Sequence, residues 1–295
     1  MKNASHYFFE QFFAQLADRD LSPSTVSGYR IDLADFVRWF EGTNRVPFKP
    51  GDVANLDLRE YQSYMQNVRR LKPGTINRRM TNLYCFMKWA QEEGFTTRTP
   101  VFPRKVRVQP LPPKALERNE QNRLLREVER RGKLRDIALV RLLISCGLRA
   151  SETVALQVSD LALGERHGKI IIRRGKGNKY REAPAPPETR KALREWLAER
   201  EKRCSKGNPY LFPNRQGGHI TVRCLQQMIK NLGYFGGLDL HPHTLRHTAA
   251  TNMLRSGADL VTVAQVLGHA SVNTTAIYTK PDGKTMMEAA ERGEM

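Results

Sequence analysis

The 295-residue sequence has no long apolar run. No stretch approaches the ~18 consecutive apolar residues of a membrane-spanning helix, which argues against an integral membrane protein. Near the N-terminus, the aromatic segment 7–13 is short and interrupted by Glu10 and Gln11, so it does not suit the apolar core of a signal peptide. We therefore expect a cytoplasmic protein.

Cysteine is scarce, and its spacing forms no paired motif. The four cysteines lie in or beside apolar stretches and include no Cys-x-x-Cys pair: Cys85, Cys146, Cys204 and Cys224. Zinc sites of the common kinds need closely spaced ligand pairs, and disulfides persist mainly in oxidising compartments. We expect buried free thiols, no bound metal and no cofactor.

Acidic residues are few relative to basic ones. The chain has 49 Lys and Arg against 30 Asp and Glu, a formal net charge of +19. Residues 1–110 hold 17 basic and 11 acidic residues, and residues 111–295 hold 32 and 19. An excess of this size indicates a polyanionic partner, and its spread suggests that both halves of the chain face phosphates. A solvated basic surface is the alternative interpretation.

Length and apolar periodicity predict two domains. We place a helical domain at 1–108, a linker at 109–116 and a second domain at 117–295. Four helices are predicted in the first domain: 6–17, a helix opened by Ser22-Pro23 and ended by Gly42, 56–70 and 72–94. The stretch 99–113 is rich in proline and basic residues, so it is predicted to be extended and suited to lie along a phosphate backbone.

The second domain is predicted to be mainly helical with a small antiparallel sheet, which makes the fold class mainly α (α+β). Residues 169–173 and 179–183 have strand character and flank a turn in which Gly175 and Gly177 surround Lys176. Lys176 is therefore expected at a hairpin tip. The predicted helices are 118–131, 133–146, 187–203, 221–232, 244–256, 260–267, 271–278 and 284–292.

Two arginines are candidates for binding a phosphodiester during attack on phosphorus. Guanidinium is planar and permanently charged, so it can grip the non-bridging oxygens that gain negative charge. Arg149 follows the break at Gly147, and Arg246 lies three residues after His243, on the same helix face. Most arginines form surface ion pairs, but this spacing favours a site.

The remaining candidates supply a nucleophile and proton transfers. Lys176 at its hairpin tip suits protonation of a 5′-oxygen leaving group. His243 and His269 suit binding the phosphate or receiving the proton of a phenol, whose pKa is about 10. Tyr278 follows His269 by nine residues among small polar residues, which suits an exposed nucleophile that forms a covalent phosphotyrosine. Taken alone, each histidine or tyrosine is more often structural.

These residues, in this order, resemble the catalytic set of the tyrosine site-specific recombinases, the lambda integrase family: Arg149, Lys176, His243, Arg246, His269 and Tyr278. Glu152 occupies a position where the family often has a supporting acid. The segments 22–29, 245–251 and 257–269 also resemble the family, and the likeness covers nearly the whole chain. The compact size resembles the Xer recombinases and transposon-encoded resolvases.

The resemblance implies a core-binding domain at 1–108 and a catalytic domain at 117–295 that clamp double-stranded DNA at a specific recombination site. It implies strand exchange through a 3′-phosphotyrosine and a four-way junction, without metal, by a tetramer whose C-terminal helix docks on a neighbouring protomer. A paralogous recombinase is a candidate partner. Five basic residues are expected to contact DNA: Arg78, Arg79, Arg173, Arg174 and Lys179.

Two other functions use some of the same features. A sequence-specific DNA-binding protein without catalysis would keep the basic surface, and a type IB topoisomerase-like enzyme would share the chemistry. Within the recombinase interpretation, dimer resolution, cointegrate resolution and integration of a mobile element use the same residues. The sequence leaves these roles and the DNA target open.

Overall fold

A computed structural model describes residues 4–17, 21–108, 114–173, 180–204, 207–268 and 291. The chain divides into two compact units, Met1–Pro110 and Leu111–Met295. Helices dominate both units, and the second also contains a three-stranded antiparallel sheet. The predicted mainly α (α+β) fold is therefore confirmed. None of the described helices is long and apolar enough to cross a membrane.

The first unit is built from the four predicted helices: α1 (Ala4–Ala17), α2 (Pro23–Asn44), α3 (Asn55–Ser63, continued by a π-helical turn at Tyr64–Val68) and α4 (Pro73–Glu92). Ser22 begins α2 as predicted, since its hydroxyl accepts a hydrogen bond from the Thr25 amide at 3.2 Å. The predicted end at Gly42 was wrong. The helix continues to Asn44, and Arg45 ends it in the left-handed conformation at φ 59°.

An aromatic core holds these helices together. Phe12, Phe36, Phe40, Phe48 and Phe86 are each at most 2% exposed, and their rings meet at mostly edge-to-face or tilted angles. Aromatic side chains bury a large apolar area each, so this cluster supplies much of the driving force for folding the first unit.

Residues 99–108, the described part of the basic stretch after α4, form neither helix nor strand, and they are bound to the first unit. The side chain of Asn77 makes two hydrogen bonds with the backbone of Val106, both 2.8 Å. Gln62 donates to the carbonyl of Arg104 at 3.0 Å, and Asn55 accepts from the amide of Val101 at 2.7 Å. Side-chain amides thus fix the path of residues 101–106 over the helices.

The second unit contains seven further described helices: α5 (Arg118–Arg130), α6 (Leu134–Cys146), α7 (Ala150–Ala155), α8 (Pro187–Arg203), α9 (Val222–Gly236), α10 (Pro242–Arg255) and α11 (Leu260–Leu267). Its sheet has the order β1 (Leu161–Leu163), β2 (Gly168–Ile172) and β3 (Arg181–Pro184). The central helix α6 is buried nearly all round, as its sequence predicts. The six-residue α7 and the three-residue β1 were not predicted, because elements so short show little periodicity.

The cysteines are free, but only one is fully buried. Cys146 lies in the core of the second unit, where burial raises the pKa of its thiol to about 12. Cys85 and Cys204 are partly exposed, and Cys224 is exposed on α9. The expectation of buried thiols was wrong for Cys224, because the polar face of α9 carries it to the surface.

Candidate active site

The site begins where two helices end. Gly147 terminates α6 and Gly268 terminates α11, both in the left-handed conformation with φ of 64° and 67°. A Cβ at Gly147 would lie 2.5 Å from Cδ2 of Leu267, and one at Gly268 would lie 2.7 Å from Cδ of Arg181. Both positions therefore require glycine for their backbone angles and for the close approach.

Three arginines satisfy the carbonyl oxygens at the end of α11. Their guanidinium groups donate to three consecutive residues: Arg181 to Val266 (3.1 Å), Arg246 to Leu267 (2.7 Å) and Arg149 to Gly268 (2.8 Å). The last carbonyls of a helix lack partners within the helix and carry partial negative charge, so cations bind there favourably. The next residue in the chain is His269. The arginines thus fix the backbone of the three residues that precede His269 in the sequence.

Arg246 joins the two helix ends. It lies in the second turn of α10 with a side chain that is almost fully buried, and its Nη1 donates to the carbonyl of Gly147 at 2.6 Å. Its Nη2 reaches Leu267, so one guanidinium bridges the C-termini of α6 and α11. Through this side chain Gly147 and Leu267 are held next to each other.

Glu152, the expected supporting acid, is hydrogen-bonded to Arg149. Arg149 precedes α7, and both its amide and its Nη1 donate to the Glu152 carboxylate at 2.8 Å. Arg181 adds two more hydrogen bonds to the same carboxylate, at 2.8 and 2.7 Å. Burial alone would raise the pKa of Glu152, but hydrogen bonds and charge from Arg181, followed by hydrogen bonds from Arg149, lower it to about 2. The carboxylate therefore remains ionised at neutral pH.

His243 lies beside the arginines in a form that can accept a proton. Burial of its ring, then the charges of Arg246 and Arg149, lower its pKa, so the imidazole is neutral at neutral pH. His247 lies behind it, with ring centroids 6.2 Å apart, and burial lowers its pKa to about 4. His241 precedes α10 and is exposed. Of the three histidines, His243 combines exposure with proximity to both arginines.

A polar face of α9 lies beside the site, and it was not predicted from the sequence. An open cleft of about 670 Å³ is lined by Arg149, Ser151 and His243 on one side and by α9 on the other, through Arg223, Gln226, Gln227 and Lys230. These four residues recur at i, i+3, i+4 and i+7, which marks one helix face. That spacing was visible in the sequence, since the opposite face of α9 carries the buried Leu225, Ile229 and Leu232.

Arg181 is a further residue of the site that was not predicted from the sequence. It begins β3, pairs with Ile172 across the hairpin and has a side chain that is 10% exposed. Its contacts are with residues 29 and 85 positions away. No local spacing marks such a residue, so only the tertiary structure shows it.

Several predicted site residues lie outside the described residues: Lys176, His269, Tyr278, Arg174 and Lys179, as well as the predicted helix 271–278 and, apart from residue 291, the predicted helix 284–292. Their assignments remain predictions. The described residues contain three of the six predicted catalytic residues, Arg149, His243 and Arg246, together with the supporting Glu152, and these four lie close together.

The three remaining candidate DNA contacts have different surroundings. Arg78 is half exposed and pairs with the buried Asp32, whereas the side chain of Arg79 is 10% exposed and pairs with Asp32 and Asp35. Arg173 follows β2, is 57% exposed and pairs with Asp160. Arg78 and Arg173 are therefore accessible to a phosphate, while Arg79 is held inside an ion-pair network between α2 and α4.

Comparison with known proteins places this arrangement in a family. Residues 114–284 match the phage integrase family, and residues 8–96 match its N-terminal SAM-like domain. Tyrosine recombinase XerC of Chromohalobacter salexigens is 32% identical over 298 residues, covering 97% of this chain and 95% of that protein. Tyrosine recombinase XerD of Caulobacter vibrioides is 34% identical over 283 residues, covering 90% of this chain and 89% of that protein.

A solved structure shows the same architecture. The post-cleavage complex of the XerH site-specific recombinase bound to palindromic difH substrate is similar with a TM-score of 0.78 and 25% identity, covering 94% of this chain and 82% of that one. The chain therefore belongs to the phage integrase family and, within it, to the Xer-like tyrosine recombinases.

Proposed function

We propose that this protein is a site-specific DNA recombinase that cleaves and rejoins strands through a covalent 3′-phosphotyrosine. The observation that carries the proposal is the meeting of Arg149, which precedes α7, and Arg246, which lies in α10, at the end of α11, where they donate to neighbouring carbonyls. A phosphodiester bound at this point has two permanent cations beside its non-bridging oxygens. They stabilise the negative charge that builds up as phosphorus becomes pentavalent.

The covalent step uses Tyr278 as nucleophile. Its hydroxyl oxygen attacks phosphorus, the bond from phosphorus to the 5′-oxygen breaks, and a 3′-phosphotyrosine and a free 5′-hydroxyl result. Neutral His243 receives the phenol proton or binds the phosphate, together with His269. Lys176 gives its proton to the leaving 5′-oxygen. Attack by the 5′-hydroxyl of another strand reverses the step and joins the two strands, so the bond energy is conserved.

The polar face of α9 is proposed to contact DNA next to the reacting phosphate. Arg223 and Lys230 are suited to backbone phosphates, and Gln226 and Gln227 have amides that can make paired hydrogen bonds to adenine. The cleft that joins this face to Arg149 and His243 supports the assignment. Arg78, Arg79, Arg173, Arg174 and Lys179 are proposed as further contacts, with access to Arg79 requiring its ion pairs to open.

The assembly is proposed to be a tetramer on two synapsed sites that exchanges strands through a four-way junction. Its C-terminal helix at 284–292 docks on a neighbouring protomer, and a paralogous recombinase is a candidate partner. The cellular role is proposed to be dimer resolution, cointegrate resolution or integration of a mobile element in the cytoplasm.

A purified-protein experiment tests the proposal. The DNA site is recovered from random duplexes by binding selection, and a nicked duplex that carries it is incubated with the protein. We expect a denaturant-stable complex of protein and DNA, and recombination of a plasmid with two copies of the site. Relaxation of supercoiled DNA without that site would favour a topoisomerase-like enzyme, and binding without any adduct would favour an inactive DNA-binding protein.

A further inference from the structure

We propose that Arg181 is a positioning residue of this active site: it neutralises Glu152 and so keeps the charge of Arg149 available to the phosphate. The proposal rests on the function given above. In the proposed reaction, Arg181 does not contact the reacting atoms. It acts through Glu152 on one side and through the end of α11 on the other.

The geometry of the carboxylate supports this role. Oε1 of Glu152 accepts from the Nη1 atoms of both Arg149 and Arg181, and Oε2 accepts from the Arg149 amide and from Nη2 of Arg181. Both oxygens are therefore shared between the two arginines. A rotation of the carboxylate that followed loss of Arg181 would change the direction of the Arg149 guanidinium as well.

The charges of Glu152, Arg149 and Arg181 also support a positioning role for Arg181. The Glu152 side chain is 3% exposed, so water screens it poorly, and alone with Arg149 it forms a neutral pair. With Arg181 present, the group of three side chains keeps one positive charge. The third hydrogen bond of Arg181, from Nε to the carbonyl of Val266 at 3.1 Å, holds this charge at the end of α11.

The position of Arg181 also links the site to the Lys176 hairpin. Arg181 is the first residue of β3, and its partner Ile172 is the last residue of β2. The segment that contains Lys176 joins these two residues in the chain. Contacts of Arg181 with Glu152 and Val266 therefore fix the base of the hairpin relative to Arg149.

Substitutions of Arg181 can distinguish a role in positioning Arg149 from a role in folding. In Arg181→Ala, DNA affinity should change little, while the rate of covalent cleavage should fall about 10- to 100-fold, the range seen when an outer partner of a metal ligand is removed. Arg181→Lys should have an intermediate rate, because lysine keeps the charge but cannot donate a planar pair of hydrogen bonds. Arg200→Ala is the matched control, since Arg200 is also largely buried and donates to the carbonyls of Asn208 and Tyr210 in the same unit.

A second substitution, which removes the charge of Glu152, tests the role of Arg181 most sharply through the cleavage rate. In the Arg181→Ala background, Glu152→Gln should increase the cleavage rate, because it removes the carboxylate that, without Arg181, neutralises Arg149 and competes with the phosphate for it. In the parent protein, the same substitution should decrease the rate. A purely structural role predicts no such change of sign.

The experiment measures adduct formation on a nicked duplex carrying the selected site, DNA affinity by gel shift and the melting temperature of each variant. The proposal predicts slow cleavage by Arg181→Ala at temperatures where it remains folded, partial recovery with Glu152→Gln, and a normal rate for Arg200→Ala. Cleavage by Arg181→Ala at the parent rate, or a further loss with Glu152→Gln, would overturn it. Absence of adduct in the parent protein would instead overturn the proposed function.

Discussion

Arg149 and Arg246 come from different parts of the second unit, yet they donate to the carbonyl oxygens of adjacent residues, Gly268 and Leu267. Their burial differs. Arg246 is 3% exposed and holds two helix ends together, whereas the side chain of Arg149 is 22% exposed. The same pair of cations is therefore expected to contribute unequally to folding, although both are proposed to act on the phosphate.

The first prediction separates these two contributions. Arg246→Ala should lower the melting temperature, because it leaves the buried carbonyls of Gly147 and Leu267 unpaired at a cost of about 1–3 kcal/mol each. Arg149→Ala should affect stability less. Each substitution should slow cleavage about 10²- to 10³-fold, by analogy with loss of one oxyanion donor. Melting curves and adduct formation on the nicked duplex check both effects, and equal loss of stability in the two variants would contradict the assignment.

The second prediction concerns pH and Glu152. Its pKa is lowered to about 2 from an ordinary value of 4.5. A carboxylate with a lowered folded-state pKa contributes stability that is fully present above pH 4.5 and is lost as pH falls through 2. The free energy of unfolding of Glu152→Gln should therefore lie below that of the parent protein by up to about 3 kcal/mol at pH 7, from the size of the pKa shift.

The difference between the two proteins should shrink below pH 4.5. Urea unfolding at pH 7, 5 and 3 measures it, and Glu165→Gln, at an exposed acid, is the control. A difference that stays constant between pH 7 and pH 3 would show that Glu152 is not ionised through its pairing with the arginines.

The third prediction tests Lys176 as the general acid. Lys176→Ala should cleave normal DNA slowly, since the 5′-oxygen leaves poorly without a proton. A substrate with sulfur at the 5′-bridging position needs no such proton, so the variant should cleave it at nearly the parent rate. Adduct formation is measured on both substrates, with Arg149→Ala as a variant that sulfur should not rescue. Equal defects of Lys176→Ala on both substrates would point to a positioning role.

The fourth prediction concerns the C-terminal helix expected at 284–292. Met286, Met287 and Ala290 form a small apolar face, and a helix this short needs a partner to be stable. Truncation after Gly283 should leave binding of one protomer to a half-site intact and weaken cooperative binding to two half-sites and strand exchange. Gel shifts with one and two half-sites measure this, and unchanged cooperativity would exclude a role between protomers.

The sequence predicted the parts of the site that depend on local spacing. Gly147 marked the end of α6, Glu152 stood one helical turn after Arg149, and His243 preceded Arg246 by one turn. The structure brings these residues together. Arg181 could not be predicted in this way, because its partners Glu152 and Val266 are distant in the chain and meet it only after α7, α11 and the sheet have packed.

The same distinction holds for the fold. Long amphipathic helices such as α2 and α4 were predicted from their periodicity. The ends of the helices were harder to predict. In α2, Gly42 lies within the helix, and Arg45 adopts the left-handed conformation usually taken by glycine. The stretch 99–113 was predicted to be extended, but its hydrogen bonds to Asn55, Gln62 and Asn77 depend on helices that only the folded unit brings close.

The central claim is that Tyr278 forms a covalent bond to the 3′-phosphate of a cleaved strand. The most direct measurement incubates the protein with the nicked site duplex, digests the denatured complex with protease and identifies the nucleotide-bearing peptide by mass spectrometry. We expect an adduct on Tyr278 in the parent protein and, in Tyr278→Phe, normal DNA binding with no adduct. An adduct on another residue, or a denaturant-stable complex formed by Tyr278→Phe, would contradict that claim.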